Sequence, residues 1–368
     1  MSIGILYESN EWSDYALRDN ISDMGVETKL INMQQKIDED TLLSCDLVIS
    51  RIFASAVFRG HRFALDQMPY VIDLLNKSDI PMINPAEAHQ YEISKKLQAE
   101  KLKEHGFPVP DIYGAFTPAL ISANPPHILD FDIKYPCIIK PDCGGRTIYT
   151  FIAGNESEFL YNLKALSVKE DTHNGILKDK QKSSIETTLD ISFMGTHDAS
   201  FIGTQDTSLK GTQDTNLKGT QDTSLKGTQD ANINELSDIS FIAEEYIYPE
   251  YGFITRIEVI DEKCRLIMKR SIAENGLSTY HFGSTYEHYK NCPQEITDTA
   301  IRAMALLSIE AGSLDIIENR RGFFIIDINS VSNVSEDNTE MFDFDLMKET
   351  AAFAHRKFNL ITSMMHRE

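Results

Sequence analysis

A lysine and a pair of glycines stand close together in a context that suits anion binding. Lys140 ends the apolar run 137–140, and Gly144 and Gly145 follow shortly before another apolar segment. Glycine N–H groups can approach an anion closely, and a lysine adds a point charge. The pattern predicts a polyphosphate site between two strands, although a tight turn without a ligand explains the glycines at least as well. GxxxxGK[ST] is absent, which excludes a P-loop.

Three oxygen-bearing side chains, Asp315, Asp327 and Asn329, lie near the C-terminal end on two predicted strands. Asp327 and Asn329 are two positions apart on one strand, so their side chains face the same side of a sheet. Carboxylate and amide oxygens are ligands that Mg²⁺ accepts, together with water and phosphate oxygens. The triplet predicts a magnesium site, and the alternative is that each residue only caps a turn.

Arg256 and Arg270 stand on neighbouring predicted strands. The planar fork of arginine suits a transferring phosphoryl group or an acyl phosphate, whereas surface ion pairing is the alternative role. Arg51, and Arg59 or Arg62, could bind a substrate carboxylate or simply be solvated. Among the thiols, Cys143 lies in the glycine loop, and we interpret it as structural because nothing around it in the sequence lowers its pKa.

The elements that must position these residues can be predicted from the hydrophobic pattern. In the first ninety residues, four apolar runs alternate with helix-like segments, which predicts an open parallel α/β domain over 1–90. The predicted strands are 2–7, 27–31, 45–50 and 81–84, and the predicted helices are 12–24 and 63–77. A single helix is then predicted over 85–105, ending at Gly106.

The remaining chain predicts two further groups of strands with helices beside them. The predicted strands are 137–140, 148–153, 240–247, 254–260, 264–270, 313–317 and 323–328, and the predicted helices are 156–166, 294–311 and 344–357. Residues 195–234 read as five consecutive octads of the type GTQDTSLK. Because the octads in the middle of the run carry one apolar residue each, we expect the polar insert 169–237 to be solvated and disordered.

Composition limits the class of protein. The 368 residues provide for two or three domains, and a net charge of −21 argues against general affinity for nucleic acid or anionic lipid. The five cysteines form no C-x-x-C pair, so reduced thiols are expected. Without an apolar run of eighteen residues or a signal-like N-terminus, the prediction is a soluble, cytoplasmic protein without a membrane partner.

Taken in chain order, these motifs resemble the ATP-grasp superfamily, and within it the RimK-type carboxylate-amine ligases. The resemblance covers about residues 1–168 and 238–350. The passages that carry it are ISKKLQAEKLKEHGFPVP (93–110), YPCIIKP (135–141), EEYI (244–247), GSLDII (312–317) and FFIIDINS (323–330). It implies a mixed α/β and α+β protein, in which an N-terminal open parallel α/β domain precedes a two-subdomain ATP-grasp domain over 91–168 and 238–350, with a C-terminal helix at 351–368.

The resemblance also implies a reaction and its cofactors. ATP and Mg²⁺ would drive the joining of a carboxylate and an amine, from small molecules or peptides, through an acyl phosphate, with release of ADP and phosphate. It further implies a homo-oligomer, a dimer or tetramer. Two alternatives share the same nucleotide site, namely an ATP-grasp kinase and an ATP-binding protein without catalysis.

Residue roles follow from the same resemblance. The residues implied to contact ATP are Lys95, Lys140, Gly144, Gly145, Glu244, Glu245, Ile247 and Glu250. Arg256 and Arg270 would hold the γ-phosphate or acyl phosphate, and Asp315, Asp327 and Asn329 would bind magnesium. The chain departs from the family pattern at Asp327, where a glutamate is usual, and after Asn329, where Ser-Val-Ser-Asn replaces a small-Pro-Gly sequence.

Overall fold

A computed structural model describes residues 1–118, 132–167, 239–273, 276–278, 283–332 and 336–365. The N-terminal part forms the predicted open sheet, whose four strands are parallel in the order β2-β1-β3-β4. Its strands are β1 (Ser2–Tyr7), β2 (Glu27–Asn32), β3 (Leu47–Arg51) and β4 (Met82–Ile83). Its helices are α1 (Trp12–Asp23), α2 (Glu39–Leu43) and α3 (Arg62–Lys77), with a 3₁₀ helix at Ala54–Phe58. The short helix α2 is absent from the sequence-based prediction.

Two helices lead out of this sheet where the sequence pattern predicts one. They are α4 (Ala86–Glu92) and α5 (Lys95–Glu104). Ser94 separates them because its backbone is extended and its side chain accepts a hydrogen bond from the N–H of Leu97, which starts a new helix. The prediction of one continuous helix is therefore wrong. The predicted end is confirmed, since Gly106 takes a φ of +77° directly after the last turn.

The first antiparallel sheet has the order β5-β8-β6-β7. Its strands are β5 (Ile112–Phe116), β6 (Cys137–Pro141), β7 (Phe151–Ala153) and β8 (Phe241–Glu245), and α6 (Glu156–Ser167) follows β7. Phe159 and Phe241 are fully buried at its centre. β7 is shorter than predicted because Arg146, Thr147 and Tyr149 have positive φ angles, which are incompatible with a strand.

The second antiparallel sheet has the order β11-β10-β9-β12-β13. Its strands are β9 (Phe253–Ile260), β10 (Lys263–Ser271), β11 (Tyr286–His288), β12 (Ala311–Asn319) and β13 (Gly322–Asn329). Helix α7 (Gln294–Leu306) covers one face, where Ile257, Leu314 and Met304 share a buried core. This leaves the other face of the sheet free to carry polar side chains.

The last helices are α8 (Glu336–Phe342) and α9 (Leu346–Met365). α9 begins close to the predicted start, and its buried residues join the core of the N-terminal parallel sheet. Met347, Ala354 and Phe358 pack in one cluster with Ile5 and Leu17. The end of the chain therefore covers the sheet with which the chain begins. Among the described residues, no helix combines the length and hydropathy needed to cross a membrane.

The predicted polar insert, 169–237, lies outside the described residues. Its two flanks are tied to the first antiparallel sheet. α6 precedes it, and immediately before β8 the buried Ile239 packs in the core of that sheet. The backbone carbonyl of Ser240 accepts a hydrogen bond of 2.8 Å from the N–H of Asp142.

Candidate active site

The face of the second antiparallel sheet that lies opposite α7 carries charged residues in register. Arg256 on β9 pairs with Asp315 on β12, and Asp315 in turn pairs with Asp327 on β13. The next row pairs Ser313 with both Glu258 and Asn329. Directly opposed residues of an antiparallel pair project to the same side, so the sequence-predicted arginine and oxygen side chains meet on one face.

The two predicted arginines are held by one buried aspartate. Arg270 donates to Oδ2 of Asp315 at 2.8 Å, and Arg256 lies 3.4 Å from Oδ1 of the same carboxylate. Burial alone would raise the pKa of Asp315, but Arg270 and Arg256 hold it below its ordinary value. Ionised Asp315 therefore fixes both guanidinium groups at the same place in the sheet.

Arg256 has a second buried partner that the sequence analysis did not single out. Glu258, two positions further on β9, accepts from Nε of Arg256 at 2.8 Å, and its other oxygen accepts from the hydroxyl of Ser332 at 2.5 Å. Glu258 is only 1% exposed. The role of Glu258 could have been predicted from the passage Thr-Arg-Ile-Glu (255–258), because residues two apart on a strand face the same side.

The two predicted lysines reach the same region from other elements. Lys95, the first residue of α5, forms an ion pair of 2.5 Å with Asp327. Burial alone would lower the pKa of Lys95, but the Asp327 carboxylate raises it above its ordinary value. Lys140 forms an ion pair of 2.6 Å with the buried Glu244 on β8 and donates to the carbonyl of Ile326 at 3.2 Å. Each lysine is thus paired with a carboxylate.

The glycine loop packs against the N-terminal part of the chain. A Cβ atom on Gly144 would lie 2.8 Å from the ring of Phe58, so this position admits only glycine without a rearrangement. Arg146 in the same loop forms an ion pair of 2.5 Å with Glu11. Cys143 lies beside them, and burial raises the pKa of its thiol to about 12, which agrees with its interpretation as a structural residue.

Four of the residues predicted to contact ATP lie at the end of β8 or just after it. Ile247 is buried, whereas Glu245 forms an ion pair of 2.6 Å with Arg321. Glu250 is directed towards the β12–β13 turn, where its carboxylate accepts a hydrogen bond of 3.1 Å from the N–H of Arg320. Glu244, the neighbour of Glu245 on β8, forms its ion pair with Lys140. Burial raises the pKa of Glu244.

A cavity of about 300 Å³ joins these groups. The sequence-predicted residues that line it are Lys95, Lys140, Gly144, Gly145, Glu244, Glu245, Ile247, Arg256, Arg270, Asp315, Asp327 and Asn329. Of the predicted set, Glu250 does not line it. Apolar walls are supplied by residues such as Ile138, Ile254 and Ile317. The structure thus collects residues from three parts of the sequence around one cavity.

The oxygen donors at the cavity fit a magnesium ion that keeps part of its coordination for water and phosphate. The side chains of Asp327 and Asn329 lie next to each other, with 3.4 Å between Nδ2 of Asn329 and Oδ2 of Asp327. Both oxygens of Asp315 contact arginines. Within the described part of the chain there is no cluster of three His, Cys, Asp or Glu side chains that could hold a metal by itself. Such a site suits Mg²⁺, which commonly uses one or two carboxylates plus substrate phosphates.

The three arginines considered for a substrate carboxylate are all paired. Arg51 is buried and donates to Asp14 at 3.1 Å, and Arg59 forms ion pairs with Glu8 and Glu11. Arg62 is exposed and lies 3.7 Å from Asp66. The solvated alternative is therefore wrong for the first two, which tie together parts of the N-terminal domain.

Comparison with solved structures adds a second line of evidence. The chain superposes on a RimK-domain ATP-grasp protein from Sphaerobacter thermophilus DSM 20745 with a TM-score of 0.57 and 14% identity, covering 96% of this chain and 99% of the other. It also superposes on the D-alanine–D-alanine ligase of Bacillus anthracis complexed with ATP, with a TM-score of 0.56, 12% identity and 99% coverage of both chains. The chain has the ATP-grasp fold. This confirms the predicted fold class.

Sequence comparison gives a match over a shorter stretch. Over 92 residues, 25% of this chain, it is 29% identical to a protein of Xanthomonas campestris pv. campestris (strain B100) named "Probable alpha-L-glutamate ligase". The match covers 31% of that relative's length. No protein-family model matches the sequence.

Proposed function

We propose that this protein is an ATP-dependent carboxylate-amine ligase of the RimK type. The observation that carries the proposal is that two lysines and two arginines line one cavity together with Asp315 and Asp327 of the second antiparallel sheet. The four cations are Lys95, Lys140, Arg256 and Arg270. Each of these four cations is paired with a carboxylate in the structure, so a polyanion can bind here by taking the place of those carboxylates. The ATP-grasp fold, and similarity to ligases in both sequence and structure, support ATP as that ligand.

The two lysines neutralise the phosphates. Lys95 and Lys140 each hold a carboxylate in the structure, Asp327 and Glu244 respectively. Phosphate oxygens replace these partners when ATP binds. Asp327 and Asn329 are then placed to hold Mg²⁺, which supplies charge neutralisation at the phosphate oxygens.

The two arginines act where the phosphoryl group is transferred. A substrate carboxylate oxygen attacks the γ-phosphorus, the bond to the ADP oxygen breaks, and an acyl phosphate forms. The amine then attacks the acyl carbon, loses a proton and expels inorganic phosphate. Arg256 and Arg270, fixed by Asp315, stabilise the negative charge in both steps. Catalysis depends mainly on positioning and electrostatics.

Product analysis tests the proposal. Purified protein is incubated with ATP, Mg²⁺ and a panel of amino acids and peptides, and the products are identified by mass spectrometry. The proposal predicts ADP and phosphate only when a carboxylate and an amine are both present. A stable phosphorylated product would instead establish a kinase, and ATP binding without turnover on any member of the panel would favour a non-catalytic protein.

Variants at the proposed metal site provide the corresponding test of residue roles. Asp327→Ala and Asn329→Ala should abolish turnover while ADP binding in EDTA is retained. Arg320→Ala provides a matched control, because Arg320 is a charged side chain that lies outside the cavity and is exposed. Unchanged turnover in both site variants would refute the metal assignment.

A further inference from the structure

The strand that carries Asp327 and Asn329 lies at the edge of its sheet. β13 pairs with β12 on one side, and it has no strand neighbour among the described residues on the other. Edge strands normally leave their outer N–H and C=O groups to water. Here protein atoms form hydrogen bonds with the N–H of Ile325 and the C=O of Ile326. They also bond both the N–H and the C=O of Ile328 and of Ser330.

Gln98 on α5 takes the place of a strand residue beside Ile328. Its Oε1 accepts from the N–H of Ile328 at 3.0 Å, and its Nε2 donates to the carbonyl of Ile328 at 2.8 Å. One side chain thereby makes the pair of hydrogen bonds that an opposed residue makes in an antiparallel ladder. Gln98 is 4% exposed, so both bonds are shielded from water.

Ser330 is held in the same way by two other buried side chains. Glu92 accepts from the N–H of Ser330 at 2.7 Å and from its hydroxyl at 2.8 Å. Asn84 donates to the carbonyl of Ser330 at 2.7 Å. The residues on each side of Asn329 are thus fixed from outside the sheet.

Helix α5 therefore contacts the proposed metal site at two points. Lys95 forms an ion pair with Asp327. Gln98 lies three residues later on the same helix face and forms hydrogen bonds with the backbone of Ile328, the residue after Asp327. Gln98 does not line the cavity. Any effect of Gln98 on a ligand must pass through β13.

We propose that Gln98 is a positioning residue for the magnesium site, acting through the two hydrogen bonds that hold Ile328 and so set the orientation of Asp327 and Asn329. This inference rests on the proposed function, in which these two residues bind the metal. Removing the amide leaves two buried backbone groups of β13 without partners, and the strand shifts to reach water. Residues that orient metal ligands typically change metal affinity by 10- to 100-fold when mutated.

The test is calorimetric titration of the full chain with ADP, once in excess Mg²⁺ and once in EDTA. The ratio of the two dissociation constants measures the contribution of the metal, independently of turnover. Gln98→Met keeps the length of the side chain and removes both hydrogen bonds to Ile328, together with a longer one of 3.3 Å that Nε2 donates to the carbonyl of Tyr91. Gln98→Asn keeps the amide but shortens the side chain by one methylene, which weakens both hydrogen bonds to Ile328 without adding a charge and provides a second variant if Gln98→Met fails to fold.

Gln67→Met is the matched control. Gln67 also lies on a helix and donates to two backbone carbonyls, those of Met33 and Gln35, but it is remote from the cavity. We expect the Gln98 variants to reduce the enhancement by Mg²⁺ about tenfold, with affinity in EDTA unchanged within about twofold, and the Gln67 variant to change neither.

Two outcomes would overturn the inference, and they are distinguishable. If the wild type gains affinity with Mg²⁺ and a folded Gln98 variant gains as much, the positioning role is wrong while the proposed function stands. If the wild type binds ADP equally well in Mg²⁺ and EDTA, the metal assignment of the proposed function is wrong, and the role of Gln98 fails with it.

Discussion

The buried ion pair between Lys140 and Glu244 makes the sharpest prediction about stability. Its N–O distance is 2.6 Å, and the two side chains are 12% and 6% exposed. Replacing Lys140 by Met leaves Glu244 buried without its cation. The attraction that is lost is about 6 kcal/mol before solvation, taking an effective dielectric constant of about 20. Breaking a buried pair at one side typically destabilises a protein by about 3–5 kcal/mol, which is the loss expected here.

The pH dependence of that loss has a defined sign. Burial already raises the pKa of Glu244 in the presence of Lys140, and removing the lysine raises it further. The folded variant then binds a proton more tightly than the unfolded chain does, so its stability falls as the pH rises through this raised value. Lys140→Met should therefore be closest to the wild type at acid pH and furthest from it at alkaline pH.

Urea unfolding at pH 5 and pH 8 measures this, using Lys140→Met, Glu244→Gln and the double variant. The double variant should recover most of the loss, since it leaves no unpaired buried charge. The exposed pair Lys103–Asp111 has a similar N–O distance of 2.5 Å but is 62% and 51% exposed, so it is the matched control, and Lys103→Met should cost less than about 1 kcal/mol. A loss in Lys140→Met no larger than in this control, at both pH values, would refute the reasoning.

Three other predictions follow from particular groups. Burial raises the pKa of Asp14 from 3.8 to about 6, so this residue should add about 3 kcal/mol of stability as the pH falls from about 7 to about 4, and Asp14→Asn should remove that component from urea unfolding curves. Cys143→Ser should leave turnover within about twofold of wild type, because a thiol with a pKa of about 12 is not a nucleophile; lost turnover in a folded variant would contradict this. Deleting the octads 195–234 while keeping the buried Ile239 should leave thermal unfolding and activity unchanged, since the sequence predicts a polar insert there and lengthening a loop costs only about 0.6 kcal/mol per doubling; lost activity in a folded deletion variant would instead indicate a role for the repeats.

Much of the fold could be predicted because hydrophobic periodicity reports burial. The strands of the parallel sheet were predicted within about two residues at each end, as were β9 and β10. The break at Ser94 was missed because local hydrophobicity continues through it, and only the capping interaction with Leu97 ends one helix and starts another. β11 and α8 are short and depend on packing around Phe342, which sequence pattern does not report.

The candidate site was predictable where chemistry is concentrated in short motifs. Lys140 beside two glycines, and Asp327 with Asn329, stand out by type and spacing. The residues that hold these groups do not, because Glu92 and Gln98 act on strand β13 across more than 200 positions of sequence. Only the tertiary structure shows that their side chains replace a missing strand.

Tracing a carboxylate oxygen tests the central claim most directly. Purified protein is incubated with ATP, Mg²⁺, an amine and a panel of carboxylates labelled with ¹⁸O, and the released phosphate is analysed by mass spectrometry. The account predicts that one ¹⁸O atom moves from a carboxylate to inorganic phosphate as the amide forms, because that oxygen bridges carbon and phosphorus in the acyl phosphate. Amide formation with unlabelled phosphate, or a stable phosphorylated product, would contradict the proposed mechanism.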